Sequence, residues 1–277
     1  MPELPEVETV RRGLNQLTLQ QKIKGGEVLL KRSLAYPISV SEFWSQLEGI
    51  TIASWQRRGK YLIAQLSNSA FLGIHLRMTG QLLWVRQDDP LQKHTRIRIF
   101  IGEQHELRFV DIRTFGKVWL VPPKQEITEI ITGLKKLGPE PFDSKFSDQY
   151  LAQKLSKTAR SIKVVLLDQA IVAGIGNIYA DEALFKSGIH PETAAQDLSF
   201  VQVKSLHKAI IEVLQTAIDK GGTTFSDFLN LLGVSGNYGD SALVYGRRGE
   251  LCHLCGTTIQ RIKLGGRSSH FCPQCQT

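Results

Sequence analysis

Four cysteines close to one end of the chain constrain its fold more than any other feature. They form two Cys-x-x-Cys pairs separated by 16 residues, and they are Cys252, Cys255, Cys272 and Cys275. Each pair turns two thiolates towards one point, and four thiolates complete the tetrahedral shell of Zn²⁺. The spacing therefore predicts one structural zinc ion on two hairpins, without an open position for catalysis. A redox pair or disulfides are the alternatives.

The charge balance indicates an anionic partner. The chain has 277 residues, a formal net charge of +8 and a pI of about 9.3. Such a surplus favours nucleic acid, although a merely basic protein without such a partner is the alternative. No apolar run reaches the roughly 18 residues of a membrane span, and no signal peptide is present. We therefore expect a cytoplasmic protein that does not bind membranes, and this compartment disfavours disulfides.

Residue periodicity divides the chain into a β-rich part and a helical part. Short apolar or alternating runs predict strands at 50–55, 61–66, 71–76, 81–85, 96–101, 106–110 and 117–121. Spacings of three and four predict a first helix with Val7, Val10, Leu14 and Leu17 on one face. A second short helix over 41–47 would have Ser41 as its cap and Gly49 after its end. This pattern predicts an α+β fold that starts with a two-helix β-sandwich.

The second part begins after a stiff Pro/Gly stretch at 137–141. Helices are predicted over 147–155, 161–168, 177–186, 199–220 and 224–232. We accordingly expect a sandwich domain at 1–136, a linker at 137–146, a helical domain at 147–241 and the zinc finger at 242–277.

The N-terminal sequence Met-Pro-Glu-Leu-Pro-Glu-Val-Glu indicates a catalytic proline. Removal of Met1 would leave Pro2 with a free secondary amine, and a pKa of about 8 for such an α-amino group keeps part of it neutral at pH 7. Such an amine can attack a sugar carbon and form an iminium, with Glu3 and Glu6 as proton carriers. Pro and Glu are also ordinary residues at the start of a helix, which is the alternative.

Three further segments could contact phosphate. Gly174-Ile175-Gly176-Asn177 lies between two predicted helices, with Asn177 placed as a cap, and it fits either a phosphate site or a purely structural turn. Lys60 lies in the basic turn Arg57-Arg58-Gly59-Lys60, which could also be a solvated turn. Arg267 lies between the two cysteine pairs, on the predicted turn of the second hairpin.

Together, the N-terminal motif, the Gly-Ile-Gly-Asn-Ile-Tyr-Ala junction and the finger ending in Cys-Pro-Gln-Cys-Gln resemble the bacterial formamidopyrimidine-DNA glycosylases over essentially the whole chain. The resemblance implies a sandwich followed by a helix–two-turn–helix domain and a zinc finger. It also implies a monomeric repair enzyme that excises oxidised purines, such as 8-oxoguanine, from double-stranded DNA and cuts the strand at the abasic site by β,δ-elimination.

The resemblance also implies residue roles. Pro2 would be the nucleophile, Glu3 the general acid, Glu6 a second active-site carboxylate, Lys60 the group that serves β-elimination, and Arg267 the group that serves δ-elimination. The residues at DNA-contacting positions are His75, His94, Arg160, Asn177 and a wedge of Met78, Arg113 and Phe115. These three wedge residues would fill the gap left by the flipped nucleotide, and Arg113 would face the cytosine left without its partner.

Two departures and three rivals accompany this interpretation. Thr114 replaces an arginine that is frequent in the family, and the segment 232–238 differs from the family's usual sequence there. The rivals are an endonuclease VIII-like glycosylase for oxidised pyrimidines, a non-catalytic zinc-finger DNA-binding protein, and a helix–hairpin–helix nuclease. Leu4 and the wedge disfavour the first, the intact Pro2, Glu3 and Lys60 disfavour the second, and the N-terminal motif disfavours the third.

Overall fold

The computed structural model describes residues 1–224 and 229–277, and its contacts group them into two compact units. The first unit consists of Met1–Lys135 and Gly221–Asn237. The second unit consists of Lys136–Lys220 and Tyr238–Thr277. The chain therefore re-enters the first unit at Gly221, after most residues of the second unit.

Two sheets form the first unit. The strands are β1 (Ile23–Val28), β2 (Leu34–Tyr36), β3 (Ile52–Arg58), β4 (Tyr61–Leu66), β5 (Phe71–His75), β6 (Gly80–Arg86), β7 (Thr95–Ile101), β8 (His105–Asp111) and β9 (Lys117–Val121). One sheet has the order β1-β7-β8-β6, and the other has the order β2-β9-β5-β4-β3. Neighbouring strands are antiparallel except β2 and β9, which are parallel.

Apolar side chains from both sheets join one core, together with the first helix, α1 (Leu4–Leu17). Ile97 and Ile99 of β7 are almost fully buried, and so are Leu62 of β4 and Leu120 of β9. The alternation of Arg96 to Ile99 places the arginines away from this core, as period-two strands require. The predicted β-sandwich is therefore confirmed.

Sequence patterns missed β1 and β2. Gly25 and Gly26 interrupt any alternation in β1, yet the strand pairs with β7 through five residues of register. A Cβ on Gly26 would lie 2.1 Å from the Arg98 carbonyl oxygen and 2.4 Å from the Trp44 ring, so only glycine fits there. A glycine forced by close packing looks like a loop signal in the sequence.

The remaining helices of the first unit are α2 (Val40–Leu47) and the short α3 (Ile127–Ile130). The predicted cap of α2 was wrong by two residues. Ser39, not Ser41, accepts the hydrogen bond from the Glu42 N–H, at 3.3 Å. Both serines lie before the same apolar run, and their chemistry as caps is identical. Gly49 adopts φ +81° just after the helix, as expected for its stop signal.

The second unit contains α4 (Asp148–Leu155), α5 (Ile162–Leu166), α6 (Asn177–Ser187), α7 (Phe200–Asp219) and the hairpin β10 (Gln260–Leu264) and β11 (Arg267–Phe271). Ser147 and Ser199 cap α4 and α7 through their hydroxyl groups. The first four predicted helices of this region are confirmed. The prediction over 224–232 includes residues 225–228, which lie outside the described residues, and 229–232 are not helical. Among the described residues, no helix is long and apolar enough to cross a membrane.

Candidate active site and metal centre

The N-terminal segment is buried and held in place by a carboxylate. Pro2 is buried, and Glu3 and Glu6 are each only 1% exposed. Glu3 is the cap residue of α1, and its N–H donates to Glu6 Oε2 at 2.8 Å. Glu6 Oε1 accepts a second hydrogen bond from the N–H of Thr223, also at 2.8 Å. The Glu6 carboxylate therefore fixes the backbone directly after Pro2.

The loop at 221–223 approaches α1 through a glycine. Gly222 has φ +82°, and a Cβ added there would lie 3.0 Å from Glu6 Oε1 and 3.3 Å from Glu6 Cα. A side chain at this position would disturb both the backbone and the carboxylate. Sequence patterns did not assign Gly222 or Thr223 to the site. The Gly221-Gly222 pair was the signal that could have found them.

Lys60 lies in the tight connection between β3 and β4. Gly59 adopts φ +56° there, and Arg58 pairs with Tyr61 across the turn. Lys60 is 9% exposed, which is low for a lysine. The next residue, Tyr61, pairs with His75 across β4 and β5, and the positive charge of Lys60 contributes to lowering the pKa of His75. This places the predicted elimination lysine beside a predicted DNA-contacting residue.

His75 is neutral and has a defined tautomer. Burial, followed by the charges of Arg77 and Lys60, lowers the pKa of His75 to about 3. Its Nδ1 accepts a hydrogen bond from the Arg77 N–H at 3.0 Å, so the ring proton is on Nε2. A neutral imidazole with Nε2–H can donate to a phosphate oxygen without a charge of its own.

The three predicted wedge residues are exposed. Met78 is 36% exposed and Phe115 is 50% exposed. Arg113 stacks its guanidinium 5.0 Å from the centre of the Phe115 ring. Thr114, between them, has φ +58°, a left-handed conformation that is uncommon outside glycine. Apolar side chains on such projecting turns can enter a base stack.

His94 is linked to the same strand end. Its Nδ1 lies 3.0 Å from Arg96 Nη2, and the Arg96 Nε donates to the Asp111 carbonyl oxygen at 2.8 Å. The Asp111 N–H donates to the His94 carbonyl oxygen at 2.9 Å. The predicted residues His94 and Arg113 therefore both lie close to Asp111, the last residue of β8.

The other predicted contact residues belong to the second unit. Arg160 is half exposed and pairs with Asp168 at 3.2 Å. Asn177 is the first residue of α6, and Gly176 is the cap, so the predicted capping role of Asn177 was wrong. The Asn177 amide instead donates to the Ser268 carbonyl oxygen of β11 at 2.9 Å. Its Oδ1 is buried without a hydrogen-bond partner among the described residues.

Arg267 is exposed at the start of β11, directly after the turn formed by Gly265 and Gly266. Both glycines have positive φ, at +53° and +78°, which suits a two-residue hairpin turn. The predicted position of Arg267 on the second hairpin is confirmed, and its catalytic role stays a prediction.

The four cysteines form one cluster in the second unit. Their Sγ atoms all lie within 4.8 Å of one another. The Cys252–Cys275 and Cys255–Cys272 pairs are 3.9 and 3.5 Å apart. A tetrahedral ion with Zn–S bonds of about 2.3 Å needs sulfur separations of roughly 3.8 Å. The residues fit one structural zinc ion, which would join the two knuckles of the finger.

Three family models match successive parts of the chain. They are the formamidopyrimidine-DNA glycosylase N-terminal domain at 1–118, the H2TH domain of the same enzymes at 137–228, and the zinc finger found in FPG and IleRS at 249–277. A formamidopyrimidine-DNA glycosylase of Rippkaea orientalis is 64% identical, and one of Nostoc punctiforme is 63% identical. The alignments cover all of this chain and 100% and 96% of those proteins.

Solved structures give the same result. A Lactococcus lactis FPG mutant in complex with DNA containing Fapy-dG has a TM-score of 0.92 and 39% identity, with full coverage of both chains. The Lactococcus lactis Fpg in complex with DNA containing an abasic site also has a TM-score of 0.92 and 39% identity, with 99% coverage of each chain. Together these matches define a class of base-excision repair glycosylases with AP lyase activity. The chain belongs to the formamidopyrimidine-DNA glycosylase family.

Proposed function

We propose that this DNA glycosylase and AP lyase removes oxidised purines from duplex DNA through an iminium on Pro2. The Lactococcus lactis relatives were crystallised with DNA that contains Fapy-dG or an abasic site. We carry both substrates over to this chain, together with 8-oxoguanine. Because its substrate is genomic DNA, we expect the enzyme to act in the cytoplasm, at the nucleoid.

The first chemical step would be attack by Pro2. Once Met1 has been removed, the Pro2 nitrogen has a lone pair that can bond to C1′ of the damaged nucleotide. The glycosidic bond breaks, and the base leaves with its electron pair and takes up the proton that the Pro2 nitrogen loses on attack. Glu3 would donate a proton to the sugar ring oxygen, the ring would open, and C1′ and the Pro2 nitrogen would form an iminium.

Strand scission would follow from the iminium. Loss of a proton from C2′ expels the 3′ phosphate, and we assign support of this β-elimination to Lys60. A second elimination, with loss of a proton from C4′, expels the 5′ phosphate, and we assign support of this step to Arg267. Hydrolysis then returns Pro2 as a free amine.

The observation that carries the proposal is the immobilised N-terminus. A nucleophile gains rate when it is held in one orientation, because the entropy of orientation is lost during folding and not during reaction. Glu6 holds the Glu3 N–H and the Thr223 N–H at 2.8 Å each, so the residue after Pro2 cannot move freely. Glu6 would then act as a positioning carboxylate and not as a proton carrier.

The contact residues would supply the grip on DNA. The glycosidic bond cannot be reached inside a duplex, so the damaged nucleotide has to leave the stack. Met78 and Phe115 would fill the gap and offset part of the lost stacking. His75, His94, Arg160, Asn177 and Arg267 would bind phosphate, which makes the affinity strongly dependent on salt.

A comparison of lesions tests this function. Duplexes carrying 8-oxoguanine or thymine glycol are incubated with the purified enzyme, and base release is measured separately from strand cleavage. We expect faster release of 8-oxoguanine. A preference for thymine glycol would indicate the pyrimidine-specific sister group, and binding without base release would indicate a DNA-binding protein only.

A further inference from the structure

Asp111 lies at the centre of the two loops that carry the wedge. It is fully buried at the end of β8. Its Oδ1 accepts a hydrogen bond from the Thr79 hydroxyl at 2.6 Å, and its Oδ2 accepts one from the Gly116 N–H at 2.7 Å. One carboxylate therefore joins the loop that contains Met78 to the loop that contains Arg113 and Phe115.

Thr79 transmits this connection to Arg113. Its Oγ1 accepts a hydrogen bond from the Arg113 N–H at 3.0 Å. Because a backbone N–H can only donate, the Thr79 hydroxyl proton is free to donate to Asp111. The resulting chain runs from the Arg113 N–H through the Thr79 hydroxyl to the Asp111 carboxylate. Each bond in it has a single possible direction.

The residues that make these hydrogen bonds are neighbours of the wedge residues in the sequence. Thr79 follows Met78 and Gly116 follows Phe115, while Arg113 is bonded directly. Gly116 is required for this geometry, because a Cβ there would lie 2.4 Å from the Phe109 ring and 3.1 Å from Asp111 Oδ2. Substitution at Gly116 would push the loop away from the carboxylate.

Both loops also contain a residue in the left-handed region. Arg77 has φ +56° and Thr114 has φ +58°. Such a conformation is unfavourable for a non-glycine residue and persists where surrounding contacts enforce it. The hydrogen bonds of Asp111 and Thr79 supply such contacts to both loops.

We propose that Asp111 and Thr79 are positioning residues that hold Met78, Arg113 and Phe115 ready to enter the gap left by an extruded nucleotide. The proposal rests on the proposed function, since it needs a wedge. Pre-organised loops would not have to be ordered during base extrusion, which lowers the cost of the bound state. Arg113 would also keep one orientation towards the base opposite the lesion.

Thr79→Val tests the proposal, because valine keeps the shape of threonine and removes the hydroxyl. Thr79→Ser restores the hydroxyl and is the rescue variant. Thr216→Val is the control for the substitution itself, because Thr216 lies on an exposed turn of α7, where its hydroxyl donates to the Glu212 carbonyl oxygen. Asp111→Asn is measured alongside, and the melting temperature is recorded for every variant.

Two substrates separate positioning from chemistry. A duplex with 8-oxoguanine opposite cytosine needs the wedge, whereas a single-stranded abasic oligonucleotide does not. We expect Thr79→Val to lower kcat/KM on the duplex about tenfold or more, because it breaks the hydrogen-bonded connection between Asp111 and Arg113. We also expect a smaller preference for cytosine over adenine opposite the lesion. Cleavage of the single strand should stay within about twofold, and Thr79→Ser should recover the duplex activity.

A fluorescent 2-aminopurine opposite the lesion reports wedge insertion directly. Its signal should rise more slowly in Thr79→Val than in the wild type and Thr216→Val. Equal losses on both substrates, or wild-type activity of Thr79→Val on the duplex, would overturn the proposal. A wild-type enzyme that cleaves neither substrate would instead show that the proposed function is wrong.

Discussion

The carboxylate of Glu6 accepts a hydrogen bond from the backbone N–H of Thr223, a residue 217 positions further along the chain, at 2.8 Å. The same carboxylate holds the N–H of Glu3. The start of α1 and the loop at 221–223 are therefore joined through one buried carboxyl group. Both belong to the first unit, so the nucleophile proposed at Pro2 is supported from inside its own unit.

Glu6→Gln should disturb this arrangement. An amide nitrogen in place of either carboxylate oxygen would face a backbone N–H, and two donors cannot bond each other. We expect a loss of about 1–3 kcal/mol in the free energy of unfolding and at least a tenfold loss of iminium formation. Thermal denaturation and borohydride trapping measure the two effects. Glu126→Gln, at an exposed site, is the matched control, and a wild-type result for Glu6→Gln would contradict the positioning role.

Lys60→Gln should separate base release from strand scission. If Lys60 serves elimination, its loss slows cleavage of the strand more than removal of the base. We expect the ratio of cleavage to base release to fall about tenfold or more, within the range for loss of one proton-transfer group. Base release is read after hot alkali, and cleavage is read without it. Lys24→Gln removes an exposed ion pair with Glu103 and should keep the wild-type ratio.

His75 should remain neutral through the physiological range. Burial lowers its pKa in the folded protein to about 3, from the usual 6.5 of a histidine. The unfolded chain therefore binds one more proton between pH 6.5 and pH 3, so this group's contribution to stability is complete above about pH 6.5 and is lost as the pH falls towards 3. His75→Gln should remove that part of the acid dependence, as followed by urea denaturation at several pH values. A His75 ring that titrates near pH 6 by NMR would refute the assignment.

The finger should bind one zinc ion per chain. Cys275→Ser should lose the metal, as measured by elemental analysis, and duplex binding should weaken, because a structural site contributes directly to folding. Arg267→Gln provides the matched comparison, since it should keep a full equivalent of zinc while strand scission decreases. A Cys275→Ser variant with normal zinc content would contradict a four-cysteine site.

Local patterns predicted much of the fold. The alternation around Arg96 to Ile99 predicted β7 closely, because a half-buried strand imposes period two on its own sequence. The cysteine spacing predicted the metal cluster for a similar reason, since each pair lies on one turn. In contrast, β1 was missed because Gly26 is required by its contact with Arg98, which is distant in sequence.

The residues that organise the candidate site could not be predicted in the same way. Thr79 and Asp111 are 32 residues apart and meet only through the pairing of β6 with β8. Thr223 reaches Glu6 from the far end of the chain. The displaced cap at Asn177 has a similar cause, because its amide is occupied by Ser268 of the finger. Such partners are chosen by the tertiary fold, and neither spacing nor residue type reveals them.

Borohydride trapping can detect the iminium proposed at Pro2. The purified protein, shown by intact mass to lack Met1, is mixed with a duplex that contains 8-oxoguanine opposite cytosine, and the reductant is added. We predict a covalent complex whose digestion maps the DNA to Pro2, and a weaker one with Pro2→Gly, whose N-terminal primary amine can still form an imine. Protein that retains Met1 should give no complex at residue 2, because its nitrogen is then an amide. If Met1-free protein binds the duplex but gives no complex, or if the DNA maps to a lysine, the iminium at Pro2 is contradicted.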